Sequence, residues 1–135
     1  PLYSSAASDV YKRQPRDRFI FTGSVTDSEL ATYYRASHAY VSLSEHEGFC
    51  VPLVEAMSAN LPILAFGTTA VPETLGGAGI CFSPKDLEYA AEMLGLLVYD
   101  EDLRSAVLAG QRARLENFGD VKIRQHLAQL VERFS

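Results

Sequence analysis

The chain has 135 residues, 47% of them apolar, with 12 basic against 17 acidic side chains and a formal charge of -5. The acidic balance argues against nucleic acid as a partner, and no apolar run approaches the roughly twenty residues that span a bilayer. The length suits one domain of ordinary size with a real core.

Residues 1–14 stand apart from the rest. Ser4 to Gln14 can be read back into codons that spell a transposase sequencing adapter, and the stretch lacks apolar periodicity. Residues 1–14 are therefore expected to be a non-native or disordered leader, with 15–135 forming one partial domain. No basic start followed by an apolar core marks a signal peptide. From Pro15 onward ten basic and sixteen acidic side chains remain.

Arg18–Phe21 reads as a buried strand ended by Thr22-Gly23. A capping box, Thr26-Asp-Ser-Glu29, then opens a helix in which Leu30, Tyr33 and Tyr34 recur at helical spacing up to about Ala36. His38 is a boundary residue, and Ala39–Leu43 is a second strand. The run from Ser44 to Ala59 holds two carboxylates, a glycine turn and a helix started by Pro52. A helix that begins at the carboxyl end of a strand points its unpaired N–H groups into the crevice above the sheet, which favours an anionic ligand such as a phosphate. Leu53, Ala56 and Met57 share an arc that faces the core, so Glu55 is expected to point away from it and be free to meet a ligand. Glu47 lies beside Gly48, where backbone can approach a ligand closely.

Pro62–Ala65 is a short strand, Pro72–Leu75 a second proline-started helical turn, and Gly76-Gly-Ala-Gly79 a tight turn before the strand Ile80–Phe82. Ser83-Pro84 is expected to start a helix with a continuous stripe of Leu87, Ala90, Ala91, Leu94, Leu97 and Val98 on the sheet. Leu103 with Val107, and Ile123 with Leu127, Leu130, Val131 and Phe134, mark two more amphipathic helices. Arg104, Arg112 and Arg114 read as a solvated face, and His126 as a surface residue. Strands alternating with helices give an α/β fold, Rossmann-like, with a mainly parallel sheet and flanking helices.

Other chemistries fit poorly. In Glu45-His46-Glu47 the two carboxylates share a side only if extended, His46 then points elsewhere, and no further His or Cys cluster completes a metal shell. Nothing identifies a general base beside Cys50. Cys50 and Cys81 show no metal-type pairing and no secretory context, so reduced thiols in the cytoplasm are the default, and a disulfide between them is not suggested.

Glu47-Gly-Phe-Cys-Val-Pro-Leu-Val-Glu55 followed by Ala56-Met57, with Pro62-Ile-Leu-Ala65 and Pro72-Glu73, resembles the nucleotide-sugar-binding C-terminal domain of GT-B-fold retaining glycosyltransferases of the large family 4. The likeness runs from about Arg18 to Phe118. It departs at Asn60, where the family usually has Gly, and at Cys50, often Gly. Asn60 is acceptable because Asn is the next-best left-handed cap. The resemblance implies a nucleotide-diphosphate sugar as donor substrate, a glycan, lipid or small-molecule acceptor, and neither cofactor nor metal. It places Glu55 on the ribose hydroxyls, Glu47 at the donor sugar as the catalytic carboxylate, backbone groups of Gly48, Phe49, Cys50, Val51 and Leu53 on sugar and phosphates, and the Gly23-Ser-Val25 loop near the base. It also implies cytoplasmic placement, with peripheral attachment at the inner face of the membrane left open.

The same resemblance puts the diphosphate-gripping cations ahead of Arg18 and the acceptor site in an N-terminal domain, so that this fragment alone is expected to be inactive. With the sheet order 3-2-1-4-5-6, Arg18–Phe21 would be strand three and Ala39–Leu43 strand four, with a gap of roughly 14 Å between them at native placement. Strands 39–43, 62–65 and 79–82 should stay neighbours, and Arg18–Phe21 should be displaced or weakly paired. Two other readings keep the donor site: a nucleotide-sugar epimerase of the same architecture, and a non-catalytic nucleotide-sugar-binding module.

Overall fold

The computed structural model describes residues 18–45, 51–68 and 70–117. In chain order they form α1 (Asp27–Ala36), β1 (Tyr40–Ser42), α2 (Val51–Ser58), β2 (Ile63–Phe66), α3 (Val71–Leu75), β3 (Ile80–Phe82), α4 (Leu87–Tyr99) and α5 (Glu101–Glu116). The sheet is parallel in the order β1-β2-β3, with Val41 opposite Leu64 and Ala65 opposite Cys81. Parallel strands need a crossover, and each one here contains a helix.

Local sequence explains most of the boundaries. Thr26 and Glu29 form the reciprocal capping box, Thr26 Oγ1 accepting the Glu29 N–H at 3.2 Å while Glu29 Oε1 accepts the Thr26 N–H at 3.4 Å. Asn60 ends α2 at φ 58°, with the Leu61 N–H reaching Ala56 O and the Asn60 N–H reaching Met57 O, the paired bonds of a Schellman motif. Gly76 ends α3 at φ 56° with its N–H reaching Pro72 O, the single bond of an αL cap, and any Cβ there would strike the Arg114 side chain.

Because β2 is central, its side chains alternate between two cores. Ile63 and Ala65 join Tyr34, Leu53, Ala56, Met57, Val71 and Leu75 on one face, where α1, α2 and α3 pack. Leu64, backed by Phe66, joins Phe82, Ala90 and Leu97 on the other face, covered by α4 and the first half of α5. Val41 and Leu43, on and just after β1, remain exposed.

Helix α5 runs past the amino ends of the strands and ties them down. Buried Gln111 accepts the Ile63 N–H on Oε1 at 2.9 Å and donates from Nε2 to Leu61 O at 2.6 Å, standing in for a neighbouring strand. Arg104 donates to His38 O at 2.6 Å, Arg112 to Asn60 Oδ1 at 3.1 Å, and Arg114 to Thr74 O and Glu73 O at 3.1 and 2.9 Å. Arg104 and Arg114, half-buried, brace elements through backbone carbonyls, whereas Arg112 is exposed as its spacing suggests.

Three further expectations need correction. Arg18–Phe21 is not the buried strand that its apolar run suggests: Phe19, Ile20 and Phe21 are exposed and no strand lies beside them among the described residues, which agrees with the expectation that the run is displaced from the sheet. Helix α4 is capped by Asp86, whose carboxylate accepts the Glu88 and Tyr89 N–H groups, so Ser83-Pro84 precedes the helix. Ala90 and Leu97 are buried and Met93, Leu94 and Val98 half-buried, while Leu87 and Ala91 face outward. The helix read around Ile123 to Phe134, with His126, lies outside the described residues.

Candidate functional site

The carboxyl ends of the three parallel strands converge on one rim, and helix α2 starts above it. The side chain of Leu53 is buried in the core, so only its backbone N–H, in the first turn of α2, is available to a ligand. Val51 opens the helix half-buried, and Val25 is half-buried in the loop after Gly23, whose φ is 59°. Glu47, Gly48, Phe49 and Cys50, together with His46, lie outside the described residues.

Glu55 is not turned away from the protein. It sits beyond the first turn of α2, half-buried, and its Oε2 accepts the Tyr34 hydroxyl at 3.1 Å. The helical arc that carries Leu53, Ala56 and Met57 is joined by buried Val54, which widens the buried face and brings Glu55 to its margin. Tyr34 comes from α1, is only 7% exposed, and stacks on Tyr40 of β1 with ring centroids 6.2 Å apart. Burial first, and then the neighbouring charge of Glu55, pushes the Tyr34 phenol far above its usual ionisation range, so it stays a hydrogen-bond donor.

A second polar group holds the chain just before the glutamate motif. The Lys85 ammonium donates to Leu43 O at 2.9 Å and to Glu45 Oε1 at 3.0 Å, and lies 5.2 Å from the centre of the Phe66 ring. Thr68 Oγ1 adds a bond to Glu45 O at 3.0 Å. Three strand ends are thereby joined: β1 through Leu43 and Glu45, β2 through Phe66 and Thr68, and β3 through Lys85. Gly67 lies in the same rim, where a Cβ would come within 2.6 Å of Cys81 Sγ.

The exposed thiol of Cys81 is raised by partial burial. It lines a hollow of about 280 Å³ with Phe82, Ser83, Pro84, Asp86 and Tyr89. Among the described residues, no three His, Cys, Asp or Glu side chains gather as a metal ion would require, and no helix is long and apolar enough to cross a membrane.

Local patterning locates the α2 start and Glu55 but misses Tyr34 and Lys85. Tyr34 reads as one more apolar position of an amphipathic helix, and Lys85 as a loop cation. Their partners lie 21 and 40 positions away in sequence. No local spacing encodes such pairs.

The model of the family described as "Glycosyl transferases group 1" matches residues 5–114, beginning within the stretch that composition sets apart as a leader. The chain is 31% identical over 108 residues to O-antigen chain mannosyltransferase B of Escherichia coli, a match covering 79% of this chain and 28% of that protein. It is 35% identical over 98 residues to an MMP alpha-(1->4)-mannosyltransferase of Mycolicibacterium hassiacum, covering 70% and 24%. It is 29% identical over 104 residues to the sulfoquinovosyl transferase SQD2 of Arabidopsis thaliana, covering 73% and 20%. The chain thus spans 20% to 28% of the length of these relatives. No solved structure gives a significant match.

Proposed function

Since the chain belongs to the glycosyl transferases group 1 family, we propose that the whole protein transfers a sugar from a nucleotide-diphosphate donor to an acceptor hydroxyl, and that this chain belongs to its donor-binding half. The observation that carries the reading is the position of Glu55: a half-buried carboxylate on the helix that follows β1 in a parallel sheet, with that helix's N–H groups at the carboxyl-end rim.

The chemistry follows from charge. A carboxylate only accepts hydrogen bonds, which suits Glu55 to the two donor hydroxyls of a ribose. In the proposal Glu47 holds hydroxyls of the donor sugar and balances charge as the anomeric carbon becomes cation-like. N–H groups between Gly48 and Leu53 steady the sugar and diphosphate, and the helix dipole stabilises the departing anion electrostatically, so leaving-group departure needs no metal. The Gly23-Ser-Val25 loop lies by the base. Transfer retains the anomeric configuration, the architecture is GT-B of family 4, and the acceptor is held by parts of the protein outside this chain. A mannosyl nucleotide is the first donor to try, since two of the relatives above are named as mannosyltransferases.

The test uses the full-length protein. Glu55→Gln should weaken donor affinity by about 1–3 kcal/mol, because an acceptor-only partner becomes part donor. Glu47→Gln should lower turnover more than affinity, because its charge matters most at the transition state. Donor titration and initial rates measure both, and NMR of the product anomer reads the stereochemistry. Unchanged affinity and turnover in both variants would overturn the assignments.

A further inference from the structure

A glutamate on the margin of a helix face has three rotatable side-chain bonds, and binding a diol demands that its carboxylate be held still beforehand. The structure contains a device that does this. Tyr34 is buried, its ring is fixed against Tyr40 in a 6.2 Å stack, and its hydroxyl donates to Glu55 Oε2 at 3.1 Å. The donor comes from α1 and the acceptor from α2, so the bond also sets the two helices against each other at the site.

We propose that Tyr34 is a positioning residue for nucleotide recognition: its hydroxyl fixes the Glu55 carboxylate through Oε2 and leaves Oε1 directed to the ribose hydroxyls of the donor. The inference rests on the reading of Glu55 as the ribose ligand. The phenol stays protonated because burial and the adjacent carboxylate oppose its ionisation, so the bond persists across the pH range of any assay. A buried tyrosine hydroxyl needs some partner, and a purely structural bond would serve that need equally well. The two roles differ in what the ligand feels. A structural defect weakens every ligand alike, whereas a loosened Glu55 weakens only ligands that carry the hydroxyls.

The experiment uses the full-length protein with Tyr34→Phe, Glu55→Gln and the double variant, titrated calorimetrically with GDP and UDP and with their dideoxy analogues, which lack both ribose hydroxyls. Tyr34→Phe keeps the ring and its stacking. It should weaken the parent nucleotide by about five- to tenfold, leave the dideoxy analogue within about twofold, and add nothing to Glu55→Gln. An equal loss for both probes, a loss additive with Glu55→Gln, or wild-type binding by Tyr34→Phe beside a weakened Glu55→Gln overturns the positioning role and leaves the ribose reading standing. Indifference of every probe to Glu55→Gln overturns the ribose reading, and the positioning role with it. If Tyr34→Phe does not fold, Glu55→Asp takes its place, since it keeps the charge but withdraws the carboxylate from Tyr34 by one methylene. The same hydroxyl-selective loss is then expected, and wild-type binding by Glu55→Asp overturns the proposal.

Discussion

The two ends of the sheet are built differently. At the amino ends one helix, α5, sends Gln111, Arg104 and Arg114 to the backbone of the segments that lead into β2, β1 and β3. At the carboxyl ends the polar contacts come from several elements, and Lys85, Glu45 and Thr68 are bonded where solvent can reach them. The bonds of the buried Gln111 side chain to the entering backbone fix the strands whatever is bound above. Side-chain bonds at an open rim leave groups that a ligand can meet. The difference separates the end that holds the fold from the end to which the proposed function assigns the donor, in line with ligands binding outside the carboxyl ends of parallel strands.

Gln111 is the sharpest place to break that division. It is 1% exposed and satisfies one N–H and one carbonyl of the segment entering β2. Gln111→Leu keeps the volume but leaves both groups buried and unpaired, at about 1–3 kcal/mol each. Urea unfolding should show a loss of about 3 kcal/mol. A loss below about 1 kcal/mol would mean that water or a shifted backbone replaces the bonds and that the amino ends are not the rigid side.

Tyr34 tests a point where the rim reaches into the core. Its folded-state ionisation lies well above the value of 10.0 of a free phenol. The native state therefore keeps a proton that the unfolded chain releases, and the contribution is complete below about pH 10 and declines as pH rises above it, by about 1.4 kcal/mol per unit. Urea midpoints between about pH 9 and pH 11 should fall less steeply in Tyr34→Phe than in the parent. The other tyrosines supply a background common to both proteins. Equal slopes would show the phenol to be wetter than its 7% exposure indicates.

The same contrast explains what was legible in the sequence. Signals within one turn of the chain read well: Thr26 with Glu29, Pro52 in the first turn of α2, and Asn60 closing it. These are local hydrogen-bond and φ constraints, complete in four or five residues. Arg18–Phe21 failed because an apolar run becomes a strand only beside another strand, and none lies there among the described residues. Leu87 was misplaced because Asp86, and not Ser83, sets the phase of α4. Arg104 and Arg114 read as solvated because their acceptors lie 66 and 40 positions away. For the site, family likeness located the motif, and spacing put Glu55 on the correct helix. Its tyrosine partner could be found only once α1 and α2 were packed together.

The smallest effect belongs to Lys85, and its smallness is the point. The ammonium makes two hydrogen bonds and lies over the Phe66 ring, a set of contacts that looks substantial. Its side chain is 31% exposed, however, and that of Glu45 62%, so water competes for both charges and salt screens them. Lys85→Met keeps most of the stem against the rim and removes the charge. Its cost to global stability should be about 0.5 kcal/mol, shrinking further when unfolding is repeated near 1 M salt, where the screening length falls to about 3 Å. In the full-length protein the same substitution should act on turnover more than on stability, because it removes one bond to Leu43 O and one to the Glu45 carboxylate, two residues before Glu47. A stability loss of 2 kcal/mol or more, indifferent to salt, would place Lys85 with Gln111 among the groups that hold the fold, and the division between the two ends of the sheet would no longer stand.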